Sequence, residues 1–251
     1  MTRAPRRPLS WLWLGTVPYR DAWRLQGSLA ALRAEDRIDD CLLLLEHPAV
    51  YTVGRNLEPD HLRGTPERLV ALGADYVEVD RGGSVTFHGP GQLVGYPIGR
   101  LNELFPMAGA PGSPRRGDVI RYVRALEHAL QATAAHFGVA AGSRPPFTGL
   151  WAGDRKLAAI GVKLAAGGVT THGIGLNVTT DLCWFEHIVP CGISDLGVGS
   201  LSGEGAAGLS PERVAPVFAA DLARTMGRDV TSGQRDLLNA VENVAFQPSS
   251  A

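Results

Sequence analysis

At 251 residues, with 45% hydrophobic and 20% charged side chains, the chain has the make-up of a folded globular protein with a sizeable core. A formal net charge of −1 gives no global reason to expect nucleic acid or a membrane surface as partner. Three cysteines, an odd number in a chain this long, speak against a disulfide framework and for a reducing compartment in which a thiol stays free.

The basic start Met1–Ser10 is followed by Trp11-Leu-Trp-Leu14, too short for the apolar region of a signal peptide. No run approaches the ~20 apolar residues that span a bilayer, Cys41–Leu45 being the nearest, and the expected location is the cytoplasm. From Tyr19 to about Ala34, Trp23, Leu25, Leu29, Ala30 and Leu32 recur at near-helical period and predict a helix; Cys41–Leu45 then predicts a buried strand. Thr65-Pro-Glu and Ser210-Pro-Glu each combine an N-cap, a proline at the first helical position and an acid near the positive helix end. They open helices expected to end near Gly73 and Gly227. Tyr76–Val79 and Gln92–Tyr96 read as strands, and Asp118–His136 as a long helix with Val119, Ile120, Val123, Leu126 and Leu130 as its apolar residues. Phe105–Gly117, with its prolines and glycines around Arg115 and Arg116, reads as a surface loop. A hairpin at Trp151–Arg155 leads into strands at Leu157–Leu164 and Thr170–Asn177, and the tail beyond Gly227 reads as peripheral. With no internal repeat and no long linker, the expectation is one mixed α/β domain over residues 1–251 with a short basic N-terminal extension. No heptad or unusually apolar face calls for a second copy, so a monomer is expected.

The richest segment is Arg81-Gly-Gly-Ser-Val-Thr-Phe-His-Gly-Pro-Gly-Gln92, where glycines that permit positive φ let the main chain approach a ligand and Pro90 stiffens the turn. Taken alone, it reads equally well as a glycine-rich hairpin between strands. Two later segments favour the ligand reading: Asp154-Arg-Lys-Leu-Ala-Ala-Ile-Gly161 and Ile188-Val-Pro-Cys-Gly-Ile193. With these three in order, from about Cys41 to Leu201, the chain resembles the lipoyl(octanoyl) transferases. The resemblance implies a mixed, largely antiparallel sheet flanked by helices, like the biotin/lipoate protein ligase catalytic domain. It implies transfer of an octanoyl group from octanoyl-acyl carrier protein to a lysine of lipoyl domains, those of 2-oxoacid dehydrogenase complexes and the glycine cleavage H protein, as the first step of endogenous lipoylation. No cofactor and no metal are implied. It places the catalytic pair on Cys191 and Lys156, and substrate contacts on Arg81, Gly82, Gly83, Ser84, Val85, Thr86, Phe87 and His88, on Ala159, Ile160 and Gly161, and on Gly173, Ile174 and Gly175. Phe87 departs from the family's commoner tyrosine, which removes a hydroxyl there.

The residues themselves support parts of this. Cys191 sits between Pro190 and Gly192, a turn setting that exposes a side chain, whereas Cys41 in its leucine run and Cys183 in Asp181-Leu-Cys-Trp-Phe185 read as core packing. A thiol of pKa ~8.5 is only a few per cent thiolate at neutral pH and needs activation, which a nearby ammonium supplies. Lys156 suits that role, and Lys163 serves as a control, because an odd separation in a regular strand sets the two on opposite faces. His88 and His172 have no acidic partner at a recognisable spacing and read as scaffolding. No pair of histidines or cysteines has zinc-ligand spacing. An acidic carrier protein would dock on arginines, for which Arg81, Arg115, Arg116 and Arg121 are candidates. Two other readings compete: an ATP-using lipoate ligase, which needs no cysteine nucleophile, and a non-catalytic lipoyl-domain or carrier-protein binder, against which the presence of both Cys191 and Lys156 counts.

Overall fold

The computed structural model describes residues 8–107, 116–189, 196–233, 237 and 239–241. The chain opens with β1 (Leu9–Thr16), α1 (Tyr19–Ala34), β2 (Cys41–Glu46), β3 (Val50–Val53), α2 (Pro66–Ala71), β4 (Asp75–Glu78), β5 (Val85–His88), β6 (Gln92–Ile98) and the short α3 (Leu101–Leu104). It continues through α4 (Val119–His136), β7 (Gly142–Arg144), β8 (Phe147–Ala152), β9 (Arg155–Leu164), β10 (Thr170–Asn177), a 3-10 turn at Leu182–His187, β11 (Gly197–Val198), α5 (Pro211–Met226) and β12 (Val230–Ser232). The cap signals act as their chemistry requires. Thr65, Asp118 and Ser210 each accept a hydrogen bond from the amide three residues on, and Gly227 closes α5 in the left-handed conformation at φ 62°.

Among the described residues, the main sheet runs β12-β1-β2-β6-β10-β9-β8-β7, with β11 added beside β9. From β2 through β7 every neighbour along that path is antiparallel, whereas β12, β1 and β2 run parallel. A smaller sheet, β4-β3-β5, stands apart from it. The fold is thus mixed α/β with a largely antiparallel sheet flanked by helices. β2 is apolar throughout because both its faces are covered: Leu42 and Leu44 pack under α4 and α5, while Cys41, Leu43 and Leu45 pack under α1. Each fully buried leucine or phenylalanine contributes roughly 1.5–3 kcal/mol of transfer free energy, which makes these layers the principal stabilising contacts.

Besides β5, β7 and β11, three more strands lie outside the expected elements. β1 contains the apolar run Trp11–Leu14, β3 lies in the small sheet, and β12 lies in the tail. That tail is not peripheral: β12 pairs with β1 from Leu9↔Val230 to Trp11↔Ser232, and Leu237 and Ala240 are buried in the α1-side core. The loop expected over Phe105–Gly117 is drawn together at its base by a bridge between Pro106 and Gly117, its middle lying outside the described residues. No described helix is long and apolar enough to cross a membrane.

Candidate functional site

On the α1 side of the main sheet, β9, β10 and the loop before β5 enclose a cleft of about 490 Å3. Arg81, Gly82, Gly83, Ser84, Val85, Thr86 and His88 line one wall; Ala159, Ile160, Gly161, Gly173, Ile174 and Gly175 line the other; Tyr19, Tyr96 and His172 complete it. A second compartment of about 330 Å3 shares Thr86, His88, Ala159 and Gly175, and adds Gln92, Lys156, Ala158, Asn177, Phe185 and Val198. Two glycines are fixed by close approach. A Cβ on Gly173 would stand 2.1 Å from the Gly95 carbonyl oxygen, and one on Gly175 would stand 2.9 Å from Gln92 Oε1.

Phe87 is the one expected contact residue whose ring does not face the cleft. Strand alternation in β5 packs the Val85 and Phe87 side chains into the small sheet's own core, Val85 also bordering the cleft, and turns Thr86 and His88 toward the cleft. The Phe87 ring is 0% exposed, stacks on Trp184 at 5.2 Å and packs against Tyr51 and Phe185. A missing hydroxyl there is a matter of packing.

The two lysines of β9 lie on the same face, contrary to simple alternation. Leu150 opposes Ala158 and Trp151 opposes Lys156, so Leu157 is one residue too many and forms a β-bulge. Leu157 and Ala158 both face the α4/α5 core, which shifts the alternation and leaves Lys156, Ala159, Gly161 and Lys163 on the cleft side. Their surroundings separate them instead. Lys156 is 7% exposed in the small compartment, its Nζ 5.3 Å from the centre of the Trp151 ring, whereas Lys163 is half-buried and bonds Asp80 Oδ2.

Asp80 also supplies the acidic partner that His172 lacked in sequence: His172 Nε2 donates to Asp80 Oδ1 at 3.0 Å across 92 positions. Burial pulls the His172 pKa down despite that carboxylate. Burial pushes Asp80 up, but hydrogen bonds from Lys163 and His172 outweigh it and hold the carboxyl below its ordinary value. Arg81 is occupied by the scaffold. Its Nη2 donates to Thr52 O at 2.7 Å and Thr52 Oγ1 at 2.9 Å, and its Nη1 to Gly82 O at 3.1 Å. The buried guanidinium fastens the loop to β3 instead of offering charge to a docking protein. Arg121, at the start of α4, lies over Phe105 on the opposite side of the main sheet from the cleft, Arg116 is exposed just before that helix, and Arg115 lies outside the described residues.

Beneath the cleft lies a set of four packed rings, Tyr19, His47, His88 and Tyr96. His47 Nδ1 donates to Val17 O at 2.6 Å, and its Nε2 accepts from Tyr96 Oη at 2.7 Å. Burial pulls His47 down to about 4 and His88 to about 3, and pushes Tyr19 up to about 12. All four rings are therefore uncharged at neutral pH, and the floor is a low-dielectric surface. Sequence reasoning missed Tyr19, His47 and Tyr96, for which no short-range pattern gives a signal.

Cys191 falls outside the described residues. On either side of it, Val189 N donates to His61 O, and β11 pairs with β9, setting Val198 opposite Lys156. Of the other thiols, Cys41 is buried as expected; Cys183 is exposed, because the 3-10 turn buries Phe185 and leaves the cysteine outward, bonded through its amide to Asp181. Among the described residues, no group of His, Cys, Asp and Glu is arranged to hold a metal ion.

The lipoyl protein ligase A/B catalytic domain model matches residues 18–223. An octanoyltransferase of Chloroflexus aggregans is 47% identical over 79% of this chain and 86% of its own. One from Rhodococcus jostii is 41% identical over 97% of this chain and 89% of its own. A bipartite lipoate protein ligase from Thermoplasma acidophilum shares the fold with TM-score 0.68 at 13% identity, covering 98% of this chain and 94% of that one. Motif order, cleft and sequence identity converge: the chain belongs to the lipoyl protein ligase A/B catalytic domain family, within its octanoyltransferase group of acyl-transferring enzymes.

Proposed function

We propose that this enzyme carries out octanoyl transfer in protein lipoylation in two steps through a thioester on Cys191. In the first, the Cys191 thiolate attacks the octanoyl thioester of acyl carrier protein; the new C–S bond forms, the carrier's C–S bond breaks, and Lys156 gives a proton to the departing thiolate. In the second, the amine of a lipoyl-domain lysine attacks the Cys191 thioester. A C–N bond replaces the C–S bond, and Lys156, now neutral, takes the amine proton. The acceptors on this reading are lipoyl domains of 2-oxoacid dehydrogenase complexes and of the glycine cleavage H protein.

The observation that supports the reading is the pairing of β11 with β9, which sets Val198, close after Cys191 in sequence, opposite a buried Lys156. An ammonium ~4 Å from a thiolate at an effective dielectric of ~20 contributes at most about 4 kcal/mol, lowering the thiol pKa by up to ~3 units before desolvation. The octanoyl tail would lie along the larger compartment, where each methylene removed from water contributes ~0.8 kcal/mol. Backbone amides near Gly161 are the described candidates for oxyanion donors.

Intact-mass measurement after mixing with octanoyl-acyl carrier protein, without ATP or metal, tests this directly. One octanoyl group should appear on the protein and leave on addition of apo lipoyl domain; Cys191→Ala and Cys191→Ser should show neither event. Equal transfer by Cys191→Ala overturns the thioester, and a requirement for ATP moves the protein to ligase chemistry.

A further inference from the structure

His88 lies where the two compartments meet and is held by a chain of buried amides. The chain can be followed from a fixed point. Asn177 Nδ2 donates to Gly199 O at 2.9 Å, and a backbone carbonyl can only accept, so Asn177 Oδ1 faces Gln92. There it accepts from Gln92 Nε2 at 2.8 Å, and the same nitrogen reaches Phe87 O, a second pure acceptor, at 3.2 Å. Gln92 Oε1 is thereby turned to His88 Nδ1 at 2.6 Å. An amide oxygen has no hydrogen to give, so the hydrogen is on Nδ1 and the ring's lone pair is on Nε2.

We infer that Gln92 and Asn177 are positioning residues that lock His88 in its Nδ1–H form, so that Nε2 accepts a hydrogen bond from the incoming lysine amine in the second half-reaction. The inference rests on the two-step reading above. Its chemical basis is a count of donors at the reacting centre. The thioester carbonyl oxygen, its sulfur and the tetrahedral oxyanion are all acceptors, and an Nε2 without hydrogen does nothing for them. Of the reacting groups in the second half-reaction, only the attacking amine brings N–H groups; Lys156, whose Nζ stands over the Trp151 ring, carries N–H groups too but serves there through its lone pair. His88, Gln92 and Asn177 are 8%, 2% and 3% exposed, so solvent does not scramble the chain, and burial keeps the ring from taking the amine's proton itself. Lys156, lining the same small compartment, takes that proton.

Two measurements test the inference. Nitrogen NMR of the wild-type protein near neutral pH should show His88 with a protonated Nδ1 and a bare Nε2; the opposite tautomer overturns it. Gln92→Met, which keeps the side chain's length without its amide, should give mixed tautomers. It should also slow octanoyl transfer from preformed acyl-enzyme to lysine about tenfold relative to thioester formation, the effect of one misaligned hydrogen bond. Equal slowing of both half-reactions marks Gln92 as merely structural and overturns the proposal, as does a wild-type rate in the second. A wild type that forms no octanoyl thioester overturns the two-step reading instead, whatever tautomer His88 shows.

Discussion

Lys156 and Lys163 share a strand and a strand face, and differ in what meets their ammonium groups. Asp80 holds Lys163 at the cleft's edge, while Lys156 stands over the Trp151 ring in the small compartment. Lys156→Ala should therefore raise the apparent pKa of Cys191 toward that of a free thiol, and Lys163→Ala should leave it nearly unchanged. Alkylation rate against pH reads this out, provided it is measured in a Cys183→Ala background. Cys183 is exposed and would react as well, although its hydrogen bond to Asp181 and that carboxylate's charge push its pKa up. Cys41 needs no such precaution, since burial raises its pKa far above the usual range. An unshifted profile in Lys156→Ala would remove Lys156 as the activator.

At the scale of elements, β5 is a shared wall: Thr86 and His88 face the cleft and Phe87 anchors the small sheet's core. Phe87→Ala should cost about 3–5 kcal/mol of stability, seen as a lowered urea midpoint, although the ring touches no ligand space. Unchanged stability would mean that the stack on Trp184 contributes little. The periodicity of α1 and α4 and the cap signals of α2 and α5 are local and legible in the sequence, whereas the sequence reading sets Arg81–His88 as one run of ligand contacts and misses the β5 alternation that turns Phe87 away. Residues of Arg81–His88, of Ala159–Gly161 and of Gly173–Gly175, far apart in the chain, do line one cleft, while Cys191 lies outside the described residues. What escaped was non-local. β1 finds its partners at residues 41–46 and 230–232, and Asp80 finds His172 across the sheet. The bulge at Leu157 changes which face follows, a shift of one residue that no hydrophobic pattern reveals. Cys183 was misplaced because an apolar neighbourhood, Leu182 with Trp184 and Phe185, says nothing of which side chain a 3-10 turn leaves outside.

For the whole molecule, the uncharged floor of the cleft sets how stability responds to acid. His47 and His88 titrate near 6.5 when unfolded but at about 4 and about 3 when folded, so at falling pH the unfolded chain takes protons first. Their stabilisation is complete above about pH 6.5 and is lost as pH falls toward the folded values. For His47 alone, 2.5 units at 1.36 kcal/mol per unit amounts to about 3 kcal/mol. The urea midpoint should hold steady above neutrality and decline from pH 6.5 to 4, and His47→Gln should flatten that decline while lowering the plateau. A pH-independent midpoint across the window would contradict neutral buried rings. The β12 edge governs a different process, the order in which the fold can be completed during translation. β1 leaves the ribosome long before residues 230–232, yet its outer row of backbone donors and acceptors waits for them. Until they emerge, the nascent chain carries an open strand edge available to any other extended segment, so the interval between making β2 and making β12 is when this protein is most exposed to association with other nascent chains.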